Sequence, residues 1–231
     1  MKILITCGPS YEPIDQARRL TNFSTGRLGV TLANHFTGLG HDVLCLKGEG
    51  ATFLGAVAAR RVGTFATNDD PAATLQRYGN SEPFDVVLHA AALCDYRVAE
   101  VLNGAGESIR SAKFATRDGR LTMVMAPALK VLPLMRGWFP GARIVGWKYE
   151  LAGTSQDAFD KAWRQLRDND TDACVLNGAA YGDGFALCFV TGSIRTCTDT
   201  MSLARALEEW FRFVSPECPA NGPAILAKKN V

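Results

Sequence analysis

The sequence predicts an α/β protein: a Rossmann-like, doubly wound, mostly parallel sheet in three layers, with a long mobile loop between about residues 98 and 121. Three observations carry this. Short β-branched apolar runs alternate with stretches of helical periodicity. A chain of 231 residues suffices for one α/β domain with a large core. Polar, glycine-containing clusters follow the apolar runs, where such sheets gather their ligands.

The runs Ile3 to Cys7, Asp42 to Leu46, Phe84 to Ala91, Arg143 to Trp147 and Ala173 to Leu176 are short and apolar throughout, as strands buried on both faces are. Between the last two, Ala158, Phe159, Ala162, Trp163 and Leu166 recur at i, i+3, i+4 spacing, which predicts an amphipathic crossover helix. Weaker helical patterns cover 29–38 and 70–78. Strand, helix and strand in succession imply right-handed βαβ units with both sheet faces covered. From Val98 to Leu121 this rhythm breaks, with Gly104, Gly106, Gly119 and several charges. Loops of that length tend to be functional or mobile. The domain is expected over residues 1–214, with 215–231, containing Pro216, Pro219, Gly222 and Pro223, as a loosely packed tail.

Charge and composition narrow the function. Twenty-five basic and 23 acidic residues leave a net charge of +2, which provides no bulk attraction to nucleic acid or a membrane surface. The seven cysteines stand singly, without metal-ligand spacing, and read as small core residues of a reduced cytoplasmic protein. The N-terminal apolar run reaches Gly8-Pro9 too soon for a signal peptide, and no run of about 18 apolar residues exists for a membrane span.

Three polar clusters fall at predicted strand ends: Gly8-Pro9-Ser10, Asp95-Tyr96-Arg97 and Asn177-Gly178. The dinucleotide fingerprint GxGxxG is absent after the first strand. Residues 9–25 intervene, and only then does Gly26-Arg27-Leu28-Gly29 open a helix. Glycines and helix N-terminal amides are thus retained around an enlarged loop, an arrangement suited to phosphate. Ser24 or Thr25 is the expected cap. Arg18, Arg19 and Arg27 stand where a helix start ordinarily favours acids, so an anionic ligand there would account for them; arginines pointing into solvent account for them equally well.

The stretch GPSYEPIDQARRLTNFSTGRLG resembles the signature G-x-T-x-E-P-I-D-x-V-R-x-I-x-N-x-S-S-G-x-x-G of the phosphopantothenoylcysteine synthetase family. AALCDYRV at 91–98 is similar to the family's A-A-V-x-D-[YF], VGWKYE at 145–150 to its V-G-F-x-x-E, and VLNG at 175–178 to its x-x-N-D. The resemblance implies a ligase of coenzyme A biosynthesis. Such an enzyme activates the carboxylate of 4'-phosphopantothenate with CTP or ATP and Mg2+ as an acyl-nucleotidylate, then joins it to cysteine. It implies a homodimer, and catalytic roles for Asn22, Arg110 and Lys113. Gly8, Ser10, Ser24, Gly26, Ala91, Ala92, Asp95 and Trp147 would contact nucleotide; Arg18, Arg27 and Asn177 would contact substrate. No metal ligand is assigned.

Two departures stand out. The family's K-x-K-K element corresponds to Arg110-Ser111-Ala112-Lys113, and its P-D-[IV] to Leu129-Lys130-Val131. Arg keeps the charge but does not replace a compact ammonium everywhere. A catalytically altered or silent nucleotide-binding paralogue is therefore the alternative. An NAD(P)-dependent oxidoreductase is the weaker rival, lacking the fingerprint and any Tyr-x-x-x-Lys pair. The chain opens at the ligase's first strand, so the flavin-dependent decarboxylase domain fused to many relatives is expected to be a separate protein.

Overall fold

The computed structural model describes residues 1–213. In chain order it contains β1 (Lys2–Pro9), β2 (Tyr11–Pro13), β3 (Arg19–Thr21), α1 (Arg27–Gly38), β4 (Asp42–Gly48), β5 (Arg61–Phe65), α2 (Asp69–Ser81), β6 (Val86–Ala92), β7 (Tyr96–Leu102) and β8 (Thr122–Pro127). There follow α3 (Met135–Trp138), β9 (Arg143–Tyr149), α4 (Ser155–Asp168), β10 (Ala173–Gly178), β11 (Gly182–Phe189), β12 (Ile194–Cys197) and α5 (Thr200–Phe213). The expected tail at 215–231 lies outside the described residues. No described helix is long and apolar enough to cross a membrane.

Eight strands form one sheet in the order β12-β11-β10-β9-β6-β1-β4-β5. β5 through β10 across this order are parallel, while β11 and β12 add an antiparallel edge. The chain leaves β1 towards β4 and returns across it to β6. The strand order therefore reverses between β1 and β6, opening a crevice at their carboxyl ends.

The central strands are buried because both faces are covered. Ile3, Ile5, Val86, Leu88, Val30, Phe36, Leu203 and Leu207 pack in the layer formed with α1 and α5. Leu4, Leu44, Val87 and Ile144 pack on the other face with Leu75 of α2 and Met135 of α3. Ala158, Ala162 and Leu166 of α4 complete that side over β10.

All five strands read from sequence exist, with ends shifted by up to two residues. The expected long loop is different in kind. β7 and β8 pair as a separate antiparallel ribbon with a bulge between Val98 and Glu100, leaving 103–121 as its tip. Periodicity does not reveal it because β8 is largely exposed on both faces, so no apolar and polar alternation marks it.

Glycines fix the junction of β1 with α1. A Cβ on Gly29 would lie 2.2 Å from the Cβ of Cys7, so helix and strand approach closely only because Gly29 has none. Gly8 and Gly26 adopt φ of +80° and +78°, and their open faces are filled by the methyl of Ala51. The close approach they permit is thus to the chain's own loop after β4.

His89 of β6 is buried and its Nδ1 bonds Thr6 Oγ1 at 2.7 Å. Desolvation pushes its pKa down to about 4, against about 6.5 in an unfolded chain. The unfolded state therefore binds the extra proton, and stability is complete above pH 6.5 and falls as pH drops towards 4. The difference amounts to about 3 kcal/mol. Urea unfolding between pH 7 and 4.5, where most carboxylates still hold their charge, should show most of this loss, and His89→Gln should flatten it apart from a lesser share from the partly buried His41, whose pKa burial also lowers.

Candidate active site

The crevice is bounded below by Gly8 to Ser10 and Ala91 to Asp95, and on one side by the start of α1. Its geometry depends on Asn68, which is 1% exposed. Asn68 Oδ1 accepts from Ser10 Oγ at 2.6 Å and from the Cys94 amide at 3.1 Å. Its Nδ2 donates to the carbonyls of Cys94 at 2.8 Å and Leu129 at 3.0 Å. Ser10 Oγ in turn accepts from the Cys94 amide at 2.8 Å. Three loops, after β1, β6 and β8, are thereby tied at one point. Ser10, expected to contact nucleotide, has its hydroxyl spent in this buried knot.

Asn22 lies across the crevice. Its Nδ2 donates to the carbonyls of Ala92 at 3.1 Å and Leu93 at 2.9 Å. Both amide hydrogens are committed, so the group presents an acceptor and not the donor and acceptor together that its type allows. Ala91 and Ala92 form the opposite wall, half-buried at the end of β6.

The start of α1 is not capped by Ser24. Gly26 occupies the cap position, no side chain caps the helix in the usual manner, and Thr25 Oγ1 accepts from the Arg27 amide at 3.2 Å. The first turn contains no acid. Arg27 leans over the ring of Phe53, 5.9 Å from its centroid, and stays exposed.

Arg18 is used differently from its expected contact with substrate. It donates to Asp15 Oδ2 at 2.6 Å and to the Phe114 carbonyl at 2.9 Å. Phe114 donates its amide to the same carboxylate, and Gln16 donates to the Ala112 carbonyl. This fastens the ribbon tip to the turn between β2 and β3. Burial opposes the charge of Asp15, but amides of Ala17, Phe114 and Arg18 and the Arg18 guanidinium hold its carboxyl below the usual range. Arg110 lines an open depression of about 500 Å³ there with Pro13, Asp15 and Gln16. Lys113 is exposed on the same segment. The pair thus belongs to the docked tip and is not part of the crevice floor.

On the far half of the sheet, Trp147 is half-buried, packed on the α1 and α5 core, with its Nε1 enclosed and unpartnered. Asn177 is the last residue but one of β10, where its carbonyl accepts from the Glu150 amide at 2.9 Å. Glu150 is held by Lys148 at 3.1 Å and Lys161 at 2.5 Å; burial opposes its charge, but the two ammonium groups keep its pKa low.

Two residues join the site that motif reading does not assign to it. Asn68 precedes Asp69-Asp70-Pro71 and reads as an ordinary helix cap; nothing in the local sequence announces its long-range bonds. Lys130 pairs with Asp95. The proline ending β8 is Pro127, so the family's P-D-[IV] fits Pro127-Ala128-Leu129 better than the register two residues later, and Lys130 lies just beyond it.

A doubly wound sheet with glycines and a helix N-terminus at its switch point defines a nucleotide-binding type of α/β domain. Residues 1–199 match the model of the DNA/pantothenate metabolism flavoprotein C-terminal domain, and the chain belongs to that family. The Coenzyme A biosynthesis bifunctional protein CoaBC of Thermococcus kodakarensis is 26% identical over 183 residues, covering 76% of this chain and 41% of that protein. Its namesake in Bacillus subtilis is 28% identical over 184 residues, covering 79% and 42%. The chain spans about two-fifths of the length of these relatives. Among solved structures, the DNA/pantothenate metabolism flavoprotein of Streptococcus pneumoniae superimposes with a TM-score of 0.80 at 22% identity, over 91% of this chain and 97% of that one. A Cab2 mutant in complex with phosphopantothenate-cysteine superimposes at 0.68 with 14% identity, over 91% and 87%. These likenesses show a shared fold.

Asn68→Ala removes four bonds, three of them buried, and leaves the Cys94 and Leu129 carbonyls unmet. Urea unfolding should register a loss of about 2 to 4 kcal/mol, with the disturbance centred on amide exchange at residues 92–95 and 128–130.

Proposed function

We propose that this chain is a phosphopantothenate–cysteine ligase domain. The observation that carries the reading is the Asn22 carboxamide, held across the β1 and β6 crevice as an acceptor by two backbone carbonyls, within a family match over residues 1–199. In the first half-reaction a carboxylate oxygen of 4'-phosphopantothenate attacks the α-phosphorus of CTP or ATP, and pyrophosphate leaves. In the second the amine of cysteine attacks the acyl carbon, the nucleoside monophosphate leaves with the bonding electrons, and the amine loses a proton. An acceptor beside the acyl carbon suits an attacking N–H, and its fixed position supplies orientation at no further ordering cost.

Several expected contacts fit this scheme. Amides at Gly8 and from Gly26 onward, with Arg27, suit phosphate oxygens. Asp95 and the Ala91-Ala92 backbone suit the nucleoside. Trp147 and Asn177 lie near the carboxyl ends of β9 and β10, although the Trp147 ring is packed against the core of α1 and α5. Lys113 and Arg110 reach the triphosphate only if the ribbon tip moves towards it. Among the described residues no group of three or more His, Cys, Asp or Glu side chains is placed to hold a metal ion. Asp95 and Glu150 are paired with lysines. Mg2+ would thus be carried in on triphosphate oxygens, its usual mode with such substrates, and no protein cage is assigned. A cytoplasmic homodimer is the assembly this reading favours.

Pyrophosphate release should require 4'-phosphopantothenate with CTP or ATP, and phosphopantothenoylcysteine should form when cysteine is added. Binding of the triphosphate without pyrophosphate release would instead assign a silent nucleotide binder. Asn22→Asp turns a carboxylate towards two carbonyl oxygens, and turnover should fall on the order of a hundredfold. Near-normal turnover in a folded Asn22→Asp variant would remove Asn22 from the chemistry.

A further inference from the structure

At the β6 end of the crevice the buried Asn68 bonds the carbonyls of Cys94 and Leu129. The residues that follow each, Asp95 and Lys130, are therefore presented side by side, and the Ala128 amide bond to the Asp95 carbonyl at 2.9 Å fixes their register. Both side chains are open to solvent, Lys130 to 58% and Asp95 to 71%. An ion pair so exposed contributes little to folding. The protein nonetheless spends two bonds of the buried Asn68 carboxamide on the two backbones that carry it.

Most other cations near these strand ends are engaged. Lys47 donates to the Phe53 carbonyl at 2.8 Å, Lys148 and Lys161 share Glu150, and Arg18 holds the ribbon tip. Arg110 and Lys113 belong to that tip. Lys130, on the loop after β8, is instead drawn through Asp95 to the end of β6, whose Ala92 and Leu93 carbonyls hold Asn22, and it has a flexible four-carbon stem and a partner that solvent already competes for.

We propose that Lys130 is a phosphate-binding cation of the crevice, at the β6 end as Arg27 is at the α1 end, and that Asp95 is the counter-ion that positions its ammonium until triphosphate oxygens displace it. This rests on the ligase reading. The exchange trades one exposed ion pair for charge-assisted bonds to a polyanion. It also gives the crevice a cation that does not depend on movement of the ribbon.

Titration calorimetry of the full chain with tripolyphosphate, CTP and ATP, alongside steady-state turnover, tests this. Lys130→Ala should weaken tripolyphosphate binding and raise the triphosphate KM by at least about tenfold, with the cysteine KM little changed. Lys130→Arg should recover most of the loss. Asp95→Asn frees the ammonium and should tighten tripolyphosphate binding, although it also disturbs the nucleoside. Unchanged tripolyphosphate affinity in a Lys130→Ala variant that melts like the parent overturns the proposal and leaves the ligase reading intact. Absence of any product from the parent chain overturns the ligase reading, while the tripolyphosphate titrations still decide the role of Lys130.

Discussion

The side chain of Asn68 uses its full hydrogen-bonding capacity inside the protein, two bonds donated and two accepted. A carboxamide in that position is costly to bury unless every partner is met. Meeting them forces the loops after β1, β6 and β8 into one arrangement. The crevice floor, the seat of Asn22 and the meeting of Asp95 with Lys130 all follow from it. The parallel sheet provides strand ends in a row, as any such sheet does. Asn68 gives those ends a particular shape.

A second constraint acts from outside the sheet. The β2 and β3 hairpin turns at Asp15, whose carboxylate collects amides from Ala17, Arg18 and Phe114. The ribbon tip is bound to that carboxylate and to Arg18 and Gln16. The site is thus framed by two attachments of different character. One is buried, neutral and inflexible; the other is a charged contact whose guanidinium is half exposed and open to competition by salt.

Legibility in sequence followed burial. β1, β4, β6, β9 and β10 are apolar on both faces, and α4 has a strong 3.6-residue stripe, so each is readable locally. β5 and β12 are short edge strands with exposed positions, and β7 and β8 form a ribbon away from the core, so neither period is clean. α5 is a different case: Leu203, Leu207 and Phe211 recur at helical spacing and all are buried, a signal present in the sequence that the strand pattern upstream overshadows. Within the proposed site, motif register pointed to Asn22 and the β6 end, which the fold brings within hydrogen-bond distance of each other. It could not foresee that Ser10 and Arg18 spend their side chains on the protein itself, because their partners, Asn68 and Phe114, lie 58 and 96 residues away.

The three glycines at the start of the fold bear on how such a domain can change. Gly8, Gly26 and Gly29 keep the spatial roles of a tight turn, a close approach and a helix contact, although 17 residues separate the first two. A Cβ on Gly26 would lie 3.4 Å from the Gly8 Cα, so the inserted segment leaves and re-enters the fold through a closed neck. Lengthening or shortening a loop whose ends already touch alters its closure entropy only slowly. Beyond Ser10, which the buried knot fixes, the length of the segment up to Thr25 can therefore vary at little entropic cost. The segment that bears Asn22 can thus change in length without disturbing the junction of β1 with α1, and the spacing of these glycines along the chain is not what sets their meeting in space.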